Sequence, residues 1–147
     1  MIDEIDKEIL AIVQRDGRMT QRELGRAVGL SPNAAGARLQ RLIDRGVIVG
    51  FTTVVDHEAL GRPIEASVDV WVTEDGDRQP LIDLVAADDR IVEGFHLTGP
   101  LDYRLRCRVS STDDLNELLQ KLRDEGNVRQ TDTRLVLEQL PTAPTPG

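Results

Sequence analysis

Apolar residues recur every three or four positions through the first fifty residues, which is the spacing of helices that bury one face. Polar capping residues and glycines divide this stretch into three helices. Thr20 and Glu23 form a capping-box pattern at the start of the second helix, and Ser31 followed by Pro32 opens the third. Gly29 allows a sharp turn between these two helices. The helices are predicted at about residues 3–16, 20–28 and 31–45.

Beyond residue 63 the pattern changes to alternation, which is typical of half-buried strands. It is clearest at residues 103–110, where apolar side chains alternate with Arg104, Arg106 and Arg108. Strands are predicted at residues 64–72, 91–98, 103–110 and 128–140, with helices at 79–87 and at 112–123, the latter capped by Thr112. This order of strand, helix, strand, strand, helix, strand predicts a ferredoxin-like βαββαβ sandwich.

Residues 47–55 are rich in β-branched residues, which predicts a hairpin or a connecting strand after the third helix. Gly61 and Pro63 mark a domain boundary. The predicted fold is therefore α+β, an N-terminal winged helix-turn-helix followed by a C-terminal ferredoxin-like βαββαβ sandwich. Its parts are a helix-turn-helix domain at residues 1–50, a strand or loop connector at 51–62, the sandwich at 63–140 and a disordered Pro- and Thr-rich tail at 141–147.

Charge is distributed unevenly along the chain, whose net charge is −8 over 147 residues. Residues 1–50 carry 8 basic and 7 acidic side chains, whereas residues 51–147 carry 10 basic and 19 acidic ones. The helix-turn-helix segment itself contains seven arginines between residues 15 and 45. A locally basic module joined to an acidic one favours a DNA-reading domain attached to an effector or assembly domain.

Several other classes of chemistry find little support in the composition. A single Cys107 excludes an internal disulfide and any multi-cysteine metal site. Arg106 and Arg108 beside it can lower its pKa, but its mid-strand position favours a buried structural thiol. The absence of a long apolar run or a basic N-terminal region leads us to expect a cytoplasmic protein with no membrane contact. No nucleophile–base pair or phosphate loop is evident, so we predict no enzyme activity, no catalytic residue, no metal and no cofactor.

Three motifs make the chain resemble the Lrp/AsnC family of feast/famine transcriptional regulators. They are IDEIDKEIL with the following DGR and LSP, the RL…GVIVGF run around residues 41–51, and TGPLDY at residues 98–103. The resemblance covers about residues 2–140. It implies a regulator of transcription that binds operator DNA. It also implies a homodimer paired through its sheets and often stacked into tetramers or octamers. A small effector, usually an amino acid, would bind at contacts between the C-terminal domains.

The third helix is the element expected to read DNA, because the second helix of such a motif enters the major groove. Asn33 suits adenine, and Arg38 suits guanine or a phosphate; the alternative for Arg38 and Arg41 is that they only solvate the helix. Gly36 weakens the helix by about 1 kcal/mol relative to Ala. Few long polar side chains predict few base contacts and a large contribution from DNA shape. The predicted DNA-binding residues are Gln21, Arg22, Ser31, Asn33, Ala34, Ala37, Arg38 and Arg41.

The loop at residues 98–102 is the expected effector site. Gly99 lets a ligand carboxylate approach backbone N–H groups, and Asp102 can accept from an ammonium, although Pro100 removes one donor. A plain hairpin turn in which Asp102 bonds its own backbone is the alternative. Arg104, Arg106 and Arg108 are expected to form ion pairs between subunits, and Arg134 either favours acidic ligands or lies outside the pocket. The predicted effector-binding residues are Thr98, Gly99, Pro100, Leu101 and Asp102, completed by Thr131 and Thr133 of the last strand from a neighbouring subunit.

Two alternatives from other classes stay open. Siroheme decarboxylases resemble this architecture and use histidines around tetrapyrrole carboxylates, but His57 and His96 are the only histidines here. A structural histidine is the commoner case. The sparse reading helix also allows an assembly or sensor protein with weak DNA binding.

Overall fold

The computed structural model describes residues 1–142. Two compact units are separated within it, Met1–Val54 and Val55–Gln139. Each unit has its own hydrophobic core. Of the tail predicted at residues 141–147, residues 143–147 lie outside the described residues.

Three helices make up the first unit within residues 1–54: α1 (Glu4–Arg15), α2 (Gln21–Val28) and α3 (Pro32–Asp44). Each begins at a side-chain cap that accepts from a backbone N–H in the first turn, and Gly29 takes the left-handed conformation (φ +71°) that ends α2. The caps satisfy donors that have no partner inside the helix. The predicted starts and the predicted turn are confirmed. The capping residues are Asp3, Thr20 and Ser31.

A small aliphatic cluster fixes how the three helices pack. Ile9, Leu24, Ala35 and Leu42 are all at most 2% exposed and bring one residue or more from each helix into contact. The turn after α2 is tight, since a Cβ added to Gly25 would lie only 2.6 Å from the carbonyl oxygen of Leu30. The core and this turn together hold α3 against α1 and α2.

Residues 47–55 form no hairpin and no strand, which corrects the prediction. None of residues 45–63 belongs to a strand. Val47 and Ile48 instead donate their backbone N–H groups to the carbonyl of Leu42 at 2.9 and 3.0 Å. Farther on, the side chains of Val49 and Val54 are 96% and 100% exposed. β-branched composition alone does not make a strand, because backbone groups need a partner strand to pair with.

The second unit is a four-stranded antiparallel sheet with two helices, which confirms the ferredoxin-like prediction. Its elements in chain order are β1 (Ile64–Val72), α4 (Gln79–Ala87), β2 (Ile91–His96), β3 (Tyr103–Val109), α5 (Thr112–Glu125) and β4 (Val128–Leu135). The strands pair in the order β2-β3-β1-β4. Several boundaries differ from those expected. The last strand ends at Leu135 rather than near 140, the second strand ends at His96 rather than 98, and the second helix ends at Glu125 rather than 123. Ser111 rather than Thr112 caps that helix, accepting from the N–H of Asp114 at 3.1 Å.

Both helices cover one face of this sheet. The alternating apolar residues of β1 and β3 pack there against the leucines of α4 and α5. The opposite face carries the charged members of each alternation. The most buried residues of this core include Val68, Val70, Leu105, Cys107, Val109, Leu118 and Leu122.

Candidate DNA-reading and effector-binding sites

One face of α3 is exposed along the whole helix. Its members recur at the spacing of a single helix face, while Ala35 and Leu42 on the opposite side are buried. Half of the residues predicted to bind DNA lie on this face, and one more, Ser31, is the exposed cap at the start of the helix. The exposed residues are Asn33, Ala34, Ala37, Gln40, Arg41 and Asp44.

Arg38 lies outside this face and already has two partners in the chain, which argues against the guanine or phosphate contact expected for it. Its Nη1 donates to the Oδ2 of Asp3 at 2.6 Å and to the Oδ1 of Asp6 at 2.9 Å. Only 24% of its side chain is exposed. The bond to Arg38 is the main reason that the pKa of Asp3 is lowered. Arg38 therefore ties α3 to the start of α1. Periodicity gave no sign of this, because its partners lie more than thirty positions away in the chain.

Gln21 lies directly on Gly36, where α2 begins beside α3. A Cβ added to Gly36 would lie 2.5 Å from the Cδ of Gln21, 2.6 Å from its Nε2 and 2.8 Å from its Oε1. Real Cβ atoms do not approach that closely, so any other residue at position 36 would displace the Gln21 carboxamide. The glycine that looked like a weakness of the reading helix thus provides the space for a side chain from α2.

Gln40 is a residue that the sequence reasoning missed. It lies on the exposed face of α3, and its Nε2 donates to the Oδ1 of Asp44 at 2.8 Å. The signal was available, because Gln40 follows Asn33 by seven positions and therefore lies on the same side of a helix. Arg22, also predicted to contact DNA, is exposed in the first turn of α2.

The loop at residues 97–102 joins β2 to β3 and is bound to the end of β1. The indole Nε1 of Trp71 donates to the carbonyl of Pro100 at 2.6 Å. The backbone N–H of Val72 donates to the Oδ2 of Asp102 at 2.9 Å, and the N–H of Asp102 donates to the carbonyl of Val70 at 3.0 Å. Asp102 therefore bonds a neighbouring strand, which neither sequence-based interpretation of its side chain anticipated.

Gly99 is the position in this loop where the backbone has free space beside it. Its φ is +116°, a conformation that other residues rarely adopt, and a Cβ there would meet nothing within 4 Å. The backbone at Gly99 is thus accessible to a small ligand without an intervening side chain. Thr98, Pro100 and Leu101 lie in the same loop, outside any strand.

Thr131 and Thr133 lie on β4, on the side of β1 away from the loop. They pair with Val70 and Val68 of β1, so β1 lies between the two threonines and the loop. Thr131 Oγ1 accepts from the Nη2 of Arg123 at 3.2 Å. The structure of one chain does not bring these threonines together with Asp102.

Sequence comparison accounts for both units. Residues 2–49 match the family model for a winged helix-turn-helix DNA-binding domain, and residues 65–145 match the Lrp/AsnC ligand binding domain. The chain belongs to the Lrp/AsnC family. It is a DNA-binding transcriptional regulator of that type.

Similar proteins match nearly the whole chain. The HTH-type transcriptional regulator AldR of Mycobacterium tuberculosis is 32% identical over 142 residues, covering 95% of this chain and 79% of AldR. FL11 of Pyrococcus horikoshii is 34% identical over 137 residues, covering 93% and 90%. Among solved structures, the L-Met complex of the regulator NMB0573 from Neisseria meningitidis superposes with a TM-score of 0.91 at 26% identity, covering 97% and 94%. These homologues are transcriptional regulators, which points away from the enzyme alternative.

The outer face of the sheet in this Lrp/AsnC regulator carries ion pairs that are closed within one chain. Asp69 accepts from Arg104 Nε at 2.7 Å and from Arg134 Nη1 at 3.0 Å, and the bond to Arg104 is the main cause of its lowered pKa. Glu65 pairs likewise with Arg106 and Arg108. The arginines expected to form ion pairs between subunits therefore pair with carboxylates of their own sheet. Arg134 lies on the same outer face.

A second charged cluster joins the end of α4, the start of β2 and the start of α5. Arg90 contacts the carboxylates of Asp88, Asp114 and Glu117. The hydrogen bond from Arg90 is the main reason that the pKa of Asp88 falls to about 2. This cluster lines a surface cavity of about 550 Å³. Because each charge in it has a partner of opposite sign, its evident role is to fasten these three elements together.

Two further candidate side chains, Cys107 and His96, pack against neighbouring residues of the chain. Cys107 is fully buried, and burial raises its pKa to about 12, which confirms the structural thiol. His96 stacks on Tyr103 with ring centroids 4.6 Å apart. Residues 1–142 contain no group of three or more His, Cys, Asp or Glu side chains placed to hold a metal ion. Among those residues, no helix combines the length and the apolar character that a membrane crossing needs.

Proposed function

We propose that this Lrp/AsnC regulator recognises a specific operator with the exposed face of α3 and changes its DNA binding when an amino acid occupies the loop at residues 98–102. The observation that carries the first part is the continuous exposed face of α3, held in place by α1 and α2. The observation that carries the second is the bare backbone of Gly99 in a loop otherwise fastened to β1.

Operator binding would use both ends of the helix-turn-helix. Asn33 is in the first turn of α3, where an amide can pair with the edge of adenine in the major groove. Arg41 is exposed farther along, and Arg22 is exposed at the start of α2, so both can reach phosphates that position the helix. Ser31, Ala34 and Ala37 offer close approach but little hydrogen bonding of their own.

An amino acid suits the loop because its two charged groups need different partners. A carboxylate can bind N–H groups near Gly99, and an ammonium can bind the carboxylate of Asp102, which already accepts one backbone N–H. The solved complex of the Neisseria regulator with L-Met supports an amino acid as the class of ligand. Thr131 and Thr133 would complete the pocket from a neighbouring subunit.

Assembly through the C-terminal units would bring two or more reading helices to one DNA. We propose a homodimer that assembles further into a tetramer or octamer and acts in the cytoplasm, where its operator is. The exposed side chains of Phe95 on β2 (51%) and Leu137 after β4 (97%) support an apolar contribution to subunit contacts. Sedimentation of the purified protein with and without DNA measures the state directly.

DNA binding is tested with a duplex from the region upstream of the protein's own gene. Arg41→Ala should weaken binding and reduce the slope of log affinity against log salt by about 1, because one phosphate contact is lost. Arg15→Ala removes the same charge from an exposed position on α1 and is the matched control. Equal losses in the two variants would argue against α3 as the contact surface.

Effector binding is tested by fluorescence. Trp71 is the only tryptophan of the chain, and it is bonded to the loop at Pro100. Titration with the twenty amino acids should change its emission for one or a few L-isomers and leave it unchanged for their D-isomers. The same ligands should alter the DNA shift. A complete panel that changes neither signal would overturn the amino-acid proposal while leaving DNA binding intact.

A further inference from the structure

The position of Gln21 on Gly36 gives α2 a part in reading DNA. We propose that Gln21 reads a base edge next to those contacted by α3, and that Gly36 is the residue that positions it. This rests on the proposed operator binding through α3.

The geometry places the Gln21 carboxamide beside the reading face. Gly36 follows Asn33 by three positions and precedes Gln40 by four, so the three residues form one row along α3. Asn33 and Gln40 are both exposed. Between them Gly36 contributes no side chain, and the end of Gln21 occupies that place within 2.5–2.8 Å of where a Cβ would stand.

The result is a row of three carboxamides supplied by two helices. Each carboxamide has a donor N–H₂ and an acceptor oxygen, the pair that matches the N7 and N6 atoms of adenine in the major groove. Arg38, the long side chain that would otherwise suit guanine, is held by Asp3 and Asp6. We therefore expect the half-site contacted by this row to prefer A·T pairs.

The variant Gly36→Ala tests the positioning role of this glycine. Ala forms helices better than Gly, so Gly36→Ala should leave the fold at least as stable. The clash is with the end of a flexible side chain, which can swing away at little cost. A variant that folds normally but reads DNA poorly is the expected consequence, and it separates this role from a purely structural one.

The experiment selects duplexes from a randomised DNA pool with the full-length protein. Wild type, Gln21→Ala, Gly36→Ala and the double variant are compared, with Gln14→Ala, an exposed glutamine of α1, as the matched control. Affinities are then measured for the wild-type consensus duplex and for mixed-sequence DNA. Thermal melting checks that each variant is folded.

Gln21→Ala should lose base preference at one or two symmetric positions and bind the consensus about 5- to 100-fold more weakly, with mixed-sequence DNA unaffected. Gly36→Ala should lose preference at the same positions, and the double variant should be no worse than either single one. Gln14→Ala should behave as wild type.

Three outcomes overturn the proposal. An equal loss on consensus and mixed DNA would mean that Gln21 holds a phosphate. An unchanged consensus for Gln21→Ala would mean that it contacts no base. Additive losses in the double variant would mean that Gly36 acts independently of Gln21. A wild-type protein that enriches no sequence at all would instead count against the proposed operator binding.

Discussion

Replacing Asp88 by Asn tests how firmly the corner between α4, β2 and α5 is fastened. Asp88 is buried, and its carboxylate accepts from Arg90 Nε at 2.9 Å, from Arg90 Nη2 at 2.7 Å and from the N–H of Arg90 at 3.1 Å. Lys121 approaches it at 3.4 Å. Asn keeps the size and one acceptor oxygen but removes the negative charge that faces two cations.

The size of the effect follows from the pKa of Asp88, which is lowered from 3.8 to about 2. A shift of this size corresponds to about 2 kcal/mol of folding free energy at pH 7. Since the folded-state pKa is lowered, this stability is fully present above the unfolded pKa and is lost as the pH falls through the folded one. About half of it should remain at pH 3, and little should remain below pH 2.

The assay is urea unfolding of wild type and Asp88→Asn, followed by the fluorescence of Trp71, which lies in the same unit. Protein concentration is kept equal, because assembly contributes to apparent stability. We expect the variant to lose about 2 kcal/mol of unfolding free energy at pH 7 and about 1 kcal/mol at pH 3. Asp83→Asn, an exposed position on α4, is the control and should change stability by less than about 0.5 kcal/mol.

Two results would refute this reasoning. If Asp88→Asn were as stable as wild type at pH 7, the ion pair with Arg90 would be offset by its desolvation. If the deficit were undiminished at pH 3, it would come from lost packing or hydrogen-bond geometry rather than from the charge of Asp88.

Two further predictions concern the cores. Gly25→Ala places a Cβ 2.6 Å from the carbonyl oxygen of Leu30, so it should cost about 1–3 kcal/mol of stability and weaken DNA binding; Gly50→Ala, where a Cβ meets nothing within 4 Å, should lower neither in the same melting and DNA-shift measurements. Cys107 is buried with a pKa raised to about 12, so a thiol reagent at pH 8 should label it only in denaturant. Rapid labelling of the native protein would contradict that burial.

Local signals in the sequence predicted most elements of the fold. Thr20 and Ser31 were assigned as caps from their own neighbours, and both cap in the structure. The alternation around Cys107 predicted its strand and its burial. Such features depend on residues a few positions apart, whose interactions are decided by the local backbone.

Most of the wrong predictions concern residues whose partners are distant in the chain or missing from its described part. The segment at residues 47–55 has the composition of a strand but no strand to pair with in the described chain. Arg104 was expected to form an ion pair with another subunit, but it donates to Asp69 of its own chain, 35 positions away. One miss was local: the cap of α5 is Ser111 rather than Thr112, a difference of one position that is common at helix ends.

The sequence by itself determined the helix-turn-helix, the βαββαβ order and the family. Periodicity, caps and short motifs depend only on residues that are close together in the chain. Only the tertiary structure decided which side chains are available to act. It bound Arg38 to Asp3 and Asp6, and it laid Gln21 on Gly36. These assignments depend on which distant residues packing brings within a few ångströms, and a linear pattern does not encode that distance.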